Sequence, residues 1–216
     1  MNQQLIIAGS GYITAEIYET AILLEYDVIN LDLLGQSKLI GTKIMTPEAV
    51  NEEILLLPII MSTVDYPEHE NLPTLRKAVE NRVKLFRDLE SLGFSNWVSL
   101  VHPSAVISVS AKIGSNVFIN ANSTLANNSN ISDSTQINRN VSIGHDVTVG
   151  RFCNIAPGVT ITGGAQIKDK VFIGAGAIVI NAVSVGFEST VAAGSVVTRN
   201  VDDSTFVIGS PARPRE

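Results

Sequence analysis

His145 and Asp146 stand side by side in the stretch SIGHDVTVG, residues 142–150, and are the pair in this chain best suited to acid–base chemistry. An imidazole exchanges a proton near neutral pH, and a carboxylate beside it orients the ring and raises its basicity. Neighbouring residues of a strand point to opposite faces, so this pair can act together only where the chain bends. The two residues are therefore a candidate acid–base pair that requires a bend in the chain.

A repeat of six residues surrounds this pair and runs through the second half of the chain. The repeat contains a large apolar residue at every sixth position. A mostly small side chain lies two positions before most of these residues, from Ala105 to Ser189. Two inward positions of this spacing make a short strand, and the residues between such strands form corners. Isoleucine, valine or leucine recurs at seventeen successive positions, Val101, Ile107, Ile113, Ile119, Leu125, Ile131, Ile137, Ile143, Val149, Ile155, Ile161, Ile167, Ile173, Val179, Val185, Val191 and Val197.

Three six-residue sides close a triangular coil, and this predicts a β-prism. Residues n and n+18 then stack about 4.8 Å apart, the spacing of neighbouring strands. The large side chains fill the prism, the small ones relieve its corners, and each coil satisfies the backbone groups of the next.

The repeat places His145 at a corner, two residues after Ile143, with its ring outside the prism. Asn127 stacks below it, and Gly163 and then Asn181 stack above it. A glycine over a histidine leaves a notch through which a thin ligand can reach the imidazole and a backbone N–H. The alternatives are a solvated corner histidine and a tight turn that needs two successive glycines.

Asn154 follows His145 by nine residues, which is half a turn around the prism. It cannot face the same ligand as His145 within one subunit. If both residues act, the site lies between subunits, and a triangular prism packs naturally about a threefold axis.

The first hundred residues predict a different architecture. QLIIAGSG reads as an apolar strand that runs into glycines, YITAEIYETAILLEY has helical spacing, and a second strand ends at Asp32. The turn at Gly9, Ser10 and Gly11 has the form of a mononucleotide-binding turn, where backbone and helix N-terminus favour a phosphate. Asp32 is placed to bond a ribose or a base. A bare turn without a ligand and a strand-end cap at Asp32 are the alternatives.

Residues 73–94 predict one amphipathic helix that ends at a glycine, and residues 58–72 predict a loop rich in proline, acidic and short polar residues. We therefore expect two domains, an α/β Rossmann-like domain at 1–97 and a parallel β-prism with a C-terminal tail at 98–216.

Charge and composition exclude several classes of partner. A net charge of −6 without clustered Lys or Arg argues against nucleic-acid and anionic-membrane surfaces. No signal-peptide pattern and no membrane-spanning stretch stand out, and Cys153 is the single cysteine. These features predict a cytoplasmic protein. Cys153 could be a nucleophile, although a small buried side chain is favoured.

Several stretches together carry a family resemblance. GHDVTVGRFCNIAPGVTITGG, the preceding LVHPSAVIS, the N-terminal IIAGSG and the tail VIGSPARP resemble bacterial sugar acetyltransferases of the PglD/NeuD type. These proteins belong to the hexapeptide-repeat family with a left-handed parallel β-helix. The resemblance is strongest over 98–213, weaker over 1–35 and poor over 36–72. It implies a left-handed prism, a homotrimer with sites between subunits, and acetyl-CoA as co-substrate without a metal.

The resemblance also implies roles for individual residues of the prism. His145 is the expected general base, and Asp146 is its acidic neighbour. Asn154 replaces a second histidine that contacts the acetyl-CoA carbonyl in many relatives, and an amide can still donate there. The Gly163 N–H matches a donor that polarises the thioester. Small side chains that match the CoA channel lie at Ala175 and Ala193.

In the N-terminal domain, the resemblance implies that the nucleotide sugar binds at Ser10, Gly11, Tyr12 and Asp32. Tyr12 stands where relatives commonly have histidine, and the family's Ile-Gly-rich turn after the third strand is replaced by LPIIMSTVDYPEHE. Both departures concern the acceptor half of the site.

The expected reaction is N-acetylation of a nucleotide-linked 4-amino-4,6-dideoxyhexose by direct transfer from acetyl-CoA. O-acetylation of sialic acid or a related surface-glycan sugar is the alternative. Two other classes remain: a catalytically inactive scaffold, and a metalloenzyme resembling γ-carbonic anhydrases, although His69, His102 and His145 lack the spacing of a three-histidine site.

Overall fold

The structure, a computed structural model, describes residues 2–33, 39, 42–62 and 72–215. His69 and residues 63–71 of the predicted loop lie outside the described residues.

The N-terminal part is a parallel sheet with helices, and it confirms the predicted strand–helix–strand beginning. The strands are β1 (Gln4–Ala8), β2 (Asp27–Leu31), β3 (Lys43–Met45) and β4 (Ile59–Met61), in the order β3-β2-β1-β4. The helices are α1 (Tyr12–Leu23), α2 (Glu52–Leu55) and α3 (Leu72–Ser91), with a 3₁₀ turn at Pro47–Ala49. Strands β1 and β4 are short apolar runs because the sheet is covered on both faces.

Strand β4 corrects one prediction. The composition of residues 58–72 predicts a loop, but Ile59–Met61 pairs parallel with β1 and is buried. A strand of three residues beside Pro58 has no alternation to distinguish it from a loop. Its place in the sheet comes from packing.

The predicted amphipathic helix is confirmed as α3. Leu85 and Leu89 pack in one apolar cluster with residues of the sheet. Phe86 stacks on Trp97 with ring centroids 4.7 Å apart and meets Phe152 of the prism edge-on at 5.4 Å. The helix therefore lies between the N-terminal sheet and the prism.

The predicted prism is confirmed as a long run of two-residue parallel strands typical of a left-handed β-helix. Each of the seventeen repeat positions is the second residue of one strand, and strands pair with a register of n to n+18, so that Ile137 of one coil lies beside Ile155 of the next. The strands are β5 (Leu100–Val101), β6 (Val106–Ile107), β7 (Lys112–Ile113), β8 (Phe118–Ile119), β9 (Thr124–Leu125), β10 (Asn130–Ile131), β11 (Gln136–Ile137), β12 (Ser142–Ile143), β13 (Thr148–Val149), β14 (Asn154–Ile155), β15 (Thr160–Ile161), β16 (Gln166–Ile167), β17 (Phe172–Ile173), β18 (Ile178–Val179), β19 (Ser184–Val185), β20 (Thr190–Val191) and β21 (Val196–Val197).

A short hairpin closes the chain. Strand β22 (Phe206–Gly209) pairs parallel with β20, and β23 (Ala212–Pro214) returns antiparallel to β22. This hairpin covers the last coil of the prism.

The prism has three faces, and they differ in what covers them. The first face (β5, β8, β11, β14, β17 and β20) packs against the N-terminal part, since Leu100 and Phe118 share an apolar cluster with Ile7 and Ile17. The third face (β7, β10, β13, β16 and β19) is open and carries Lys112. The second face is also open, and the first residues of its strands are all uncharged: Val106, Thr124, Ser142, Thr160, Ile178 and Val196.

The corners repeat one backbone conformation. We call the corner between the first and second faces the first corner, that between the second and third faces the second corner, and the remaining one the third corner. A residue with φ between 55° and 71° recurs at every sixth position from Asn116 to Gly194. Asparagine, aspartate and glycine adopt this left-handed conformation at the lowest cost, and several of these corner residues are of these types.

Cys153 lies inside the prism, as the favoured prediction for this residue required. Its side chain is fully buried, and its Sγ donates a hydrogen bond to the Lys168 carbonyl at 3.0 Å. Burial raises the pKa of the thiol to about 12. A thiol in this state is a poor nucleophile, because the thiolate is the reactive form.

The helices of the described ranges, 2–33, 42–62 and 72–215, include none with the length and apolar character needed to cross a membrane.

Candidate active site

His145 lies at the second corner and points outward, as the repeat predicts. It follows β12 by two residues, and 60% of its side-chain surface is exposed. Its ring is therefore outside the prism and accessible to a ligand.

Asp146 holds the imidazole from one side. Its Oδ2 accepts a hydrogen bond from His145 Nδ1 at 2.8 Å, and its Oδ1 accepts one from Asn128 Nδ2 at 3.1 Å. Asp146 has φ 56°, and this left-handed backbone supplies the bend that the pairing requires. The hydrogen bonds from His145 and Asn128 hold the pKa of Asp146 below its usual value, so the carboxylate stays ionised.

Gly163 provides the predicted notch next to the ring. A methyl group built on Gly163 would overlap the imidazole, with Cε1 of His145 at 2.6 Å and Cδ2 at 3.0 Å. A neutral imidazole that donates from Nδ1 keeps its lone pair on Nε2, and Nε2 also lies over Gly163. Within the described part of the chain, no residue accepts a hydrogen bond from the Gly163 N–H.

These groups together have the composition of an acyl-transfer site. Nε2 can take a proton from an attacking group, and a free backbone N–H next to it can stabilise the oxyanion that forms when a thioester carbonyl is attacked. Gly144 is needed for this geometry as well, since a Cβ there would lie 2.7 Å from the Gly163 nitrogen.

The first corner presents a ridge of small residues. Pro157, Ala175 and Ala193 stack in successive coils, and Ala175 and Ala193 are exposed. No acceptor for the N–H of Ala175 or of Ala193 is found among the residues that the structure describes. This corner can therefore bind an extended, hydrogen-bonding chain, but the full width of the second face separates it from His145 in the same subunit.

Asn154 lies on the first face, in β14, and only 6% of its surface is exposed. The N-terminal part covers this face. Strand β14 leads directly into the first corner, so Asn154 is nearer to the first corner than to the second. The structure does not bring Asn154 and His145 together within one chain, as their separation around the prism predicts.

The residues predicted to bind a nucleotide lie at one edge of the N-terminal sheet. Ser10 and Gly11 follow β1, Tyr12 begins α1, and Asp32 follows the adjacent strand β2. Ser10 and Asp32 are buried, and Gly9 has φ 131°, a conformation that favours glycine. The turn therefore directs the N-terminus of α1 toward the carboxyl ends of β1 and β2.

Two further polar residues were not found from the sequence. Asn128 donates a hydrogen bond to Asp146 from one coil below. Because residues eighteen positions apart stack in this prism, the sequence could have identified this neighbour. Asn30 is fully buried in β2 near the predicted nucleotide-binding turn, and its amide has no hydrogen-bond partner among the described residues. A buried amide without a partner gives no signal in a sequence.

No group of three or more histidine, cysteine, aspartate or glutamate residues within the described ranges is arranged to hold a metal ion.

Comparison with known proteins shows what the chain is similar to. Residues 128–163 match the family model described as bacterial transferase hexapeptide (six repeats). The solved structure of PerB from Caulobacter crescentus with CoA and GDP-perosamine is 27% identical, with a TM-score of 0.82, over 99% of this chain and 97% of that one. The acetyltransferase domain of PglB from Neisseria gonorrhoeae with acetyl coenzyme A is 25% identical, with a TM-score of 0.82, over 100% of both chains.

A curated relative matches over a short part of the chain. The 2,3,4,5-tetrahydropyridine-2,6-dicarboxylate N-acetyltransferase of Staphylococcus aureus is 47% identical over 47 residues, which are 22% of this chain and 20% of that enzyme. The chain spans between a fifth and a quarter of the length of the curated relatives it matches. The repeat, the fold and these similarities agree: residues 128–163 match the hexapeptide repeat of bacterial transferases, and the chain is similar to sugar acetyltransferases of the PglD/NeuD type.

Proposed function

We propose that this protein is an acetyl-CoA-dependent N-acetyltransferase that acts on a nucleotide-linked 4-amino-4,6-dideoxyhexose. The observation that carries the proposal is the outward imidazole of His145, oriented by Asp146 and lying over the side-chain-free Gly163. The similarity to PerB, whose structure holds CoA and GDP-perosamine, supports the substrate class. The single, buried Cys153 supports a cytoplasmic location.

The proposed chemistry is direct transfer. His145 Nε2 takes a proton from the acceptor amine as its nitrogen attacks the thioester carbonyl carbon. The Gly163 N–H stabilises the oxyanion, and Asp146 stabilises the imidazolium. The carbon–sulfur bond then breaks, the amide forms, and the proton passes to the departing CoA thiolate.

The proposed site needs two subunits. His145 lies at the second corner and the small-residue ridge of Ala175 and Ala193 lies at the first, on opposite edges of the second face. That face is open, and the first residue of each of its strands is uncharged. The face can therefore pack against other copies of the chain without burying charge.

A homotrimer joins the two edges. If three prisms turn their second faces toward a common threefold axis, the second corner of each lies next to the first corner of its neighbour. His145 of one subunit then faces the ridge of the next, where we expect the pantetheine arm of acetyl-CoA to lie. Asn154, on the face next to that ridge, would donate its amide to the acetyl carbonyl.

We expect the two parts of the chain to bind different substrates. Residues 1–97 bind the nucleotide sugar at Ser10, Gly11, Tyr12 and Asp32, and residues 98–216 bind acetyl-CoA and carry the base. The buried amide of Asn30, beside this turn, has no hydrogen-bond partner among the residues that the structure describes. This supports a ligand there, because buried polar groups normally have partners.

A panel of nucleotide-linked amino sugars, each incubated with purified protein and acetyl-CoA, tests this function. We expect release of CoA with a 4-amino-4,6-dideoxyhexose acceptor and an acetamido product by mass spectrometry. Transfer to a hydroxyl of sialic acid or a related sugar, or no CoA release with any acceptor, would contradict the proposal.

Replacing Asn154 with alanine tests the donor half of the site. We expect a higher KM for acetyl-CoA, by about 10-fold for the loss of one hydrogen bond, with the KM of the acceptor unchanged. Asn130→Ala, on the open third face, is the matched control and should leave both constants unchanged. Unaltered acetyl-CoA kinetics in a folded Asn154→Ala variant would remove this residue from the site.

A further inference from the structure

An ion pair joins α1 of the N-terminal part to the first corner of the prism. Arg139 Nη2 lies 2.9 Å from Glu16 Oε1, and Glu16 Oε2 accepts a hydrogen bond from Asn120 Nδ2 at 2.6 Å. Asn138 Oδ1 accepts bonds from the Arg139 N–H at 2.7 Å and from Asn120 Nδ2 at 3.3 Å. Two side chains therefore hold the Glu16 carboxylate, and Asn138 holds the backbone N–H of Arg139.

This pair is only partly shielded from solvent. The side chain of Glu16 is 23% exposed and that of Arg139 is 55% exposed. Glu16 is the one side chain in the described ranges that pairs with the Arg139 guanidinium, so other N–H groups of Arg139 remain available to a ligand.

Arg139 lies at the first corner, one coil below the small-residue ridge. It lies eighteen residues before Pro157, and its carbonyl accepts the Gly158 N–H at 3.1 Å. Ala175 and Ala193 continue the same stack above it. Along the prism axis, Arg139 and His145 are a third of a coil apart, about 1.6 Å. In the proposed trimer, Arg139 of one subunit is therefore level with His145 of its neighbour.

Glu16 connects this point to the predicted nucleotide turn. It lies four residues after Tyr12 on α1, about 6 Å along the helix from its beginning. If the diphosphate of a nucleoside diphosphate sugar binds at the helix N-terminus, we expect the attached sugar to lie at about this distance, between the turn and the ridge.

We propose that Arg139, oriented by Glu16, is a positioning residue for the acceptor sugar, and this inference rests on the proposed function. Its free guanidinium N–H groups would donate hydrogen bonds to hydroxyls of the sugar. Because Glu16 balances its charge, the pair suits an uncharged hexose carrying a neutral amine better than a sugar carrying a carboxylate.

The charges of the pair also predict opposite effects of two substitutions. Arg139→Gln leaves the carboxylate of Glu16 unbalanced, and a negative charge near the acceptor amine and the base favours their protonated forms. Glu16→Gln leaves the guanidinium unbalanced and has the reverse effect. The other titratable groups near the pair are Glu19 on the next turn of α1, His102 one coil below Asn120, and His145 and Asp146 of the neighbouring subunit, and both variants leave these unchanged.

The experiment compares the pH dependence of kcat/KM for the acceptor. Arg139→Gln should lower kcat/KM by about 10- to 100-fold without changing the KM of acetyl-CoA. In the pH profile of kcat/KM, the acidic inflection of Arg139→Gln should move up by about half a pH unit at low salt. The acidic inflection of Glu16→Gln should move down by a similar amount. Arg139→Lys keeps the charge and should leave the inflection in place.

Arg151→Gln is the matched control, because Arg151 forms a separate pair with Asp133 at 3.8 Å on the third corner. If the Glu16–Arg139 pair only joined the two parts of the chain, both variants would lower the melting temperature and neither would move the inflection. That result would overturn this inference alone. Absence of turnover by the unchanged protein would overturn the proposed function and this inference with it.

Discussion

Replacing His145 with alanine should lower the rate of acetyl transfer by about 10²–10⁴-fold, the usual contribution of a general base. The change removes the atom that takes the proton, Nε2, and leaves the prism intact, because the ring lies outside it. Binding of acetyl-CoA should persist, since the ridge at the first corner is unaltered. Steady-state kinetics and a CoA-dependent thermal shift measure the two effects separately.

His102→Ala is the control for this prediction. His102 also lies at a corner, where its Nδ1 accepts a hydrogen bond from the Ser104 N–H at 3.1 Å, and no part of the proposed site includes it. Its variant should keep full activity. Undiminished turnover by a folded His145→Ala variant would remove the histidine from the mechanism.

Replacing Gly163 with alanine should lower turnover by about 100-fold, close to the effect of losing one oxyanion donor. The added methyl group cannot occupy its place unless the imidazole moves, since Cε1 of His145 would lie 2.6 Å away. The base then leaves its position, and the path to the Gly163 N–H narrows. Because the ring is exposed and free to turn outward, the free energy of unfolding should change little.

Gly164→Ala gives the matched control one residue away. A Cβ there meets no atom within 4 Å, but the backbone has φ +71°. The expected result is a loss of about 1 kcal/mol of stability with turnover retained, the reverse of the Gly163 pattern. Equal turnover by the two alanine variants would show that the notch has no catalytic role.

The prism could be predicted because its period is strict. Each inward position repeats every six residues, and the stacking rule that follows places Gly163 over His145 from the sequence alone. The same rule would have identified Asn128 beneath Asp146. The neighbours of His145 and Asp146 within the prism could therefore be predicted from the sequence.

Contacts between the two parts of the chain could not be predicted in this way. All three faces share the same inward pattern, and only outward residues such as Phe118 indicate which face is covered. The burial of Asn154 and the pairing of Glu16 with Arg139 depend on how α1 and α3 pack on the prism. Strand β4 was not predicted because its three residues are too few to show the alternation that identifies a strand.

Mixed trimers test the central claim, that each site joins His145 of one subunit to the first corner of the next. His145→Ala and Ala175→Trp subunits, each inactive alone, are co-expressed with different tags and purified through both. Every mixed trimer then contains one interface with an intact histidine facing an intact ridge, so we expect about a third of the unmodified activity. No recovered activity in these mixed trimers would contradict the account, because it would place both halves of the site within a single subunit.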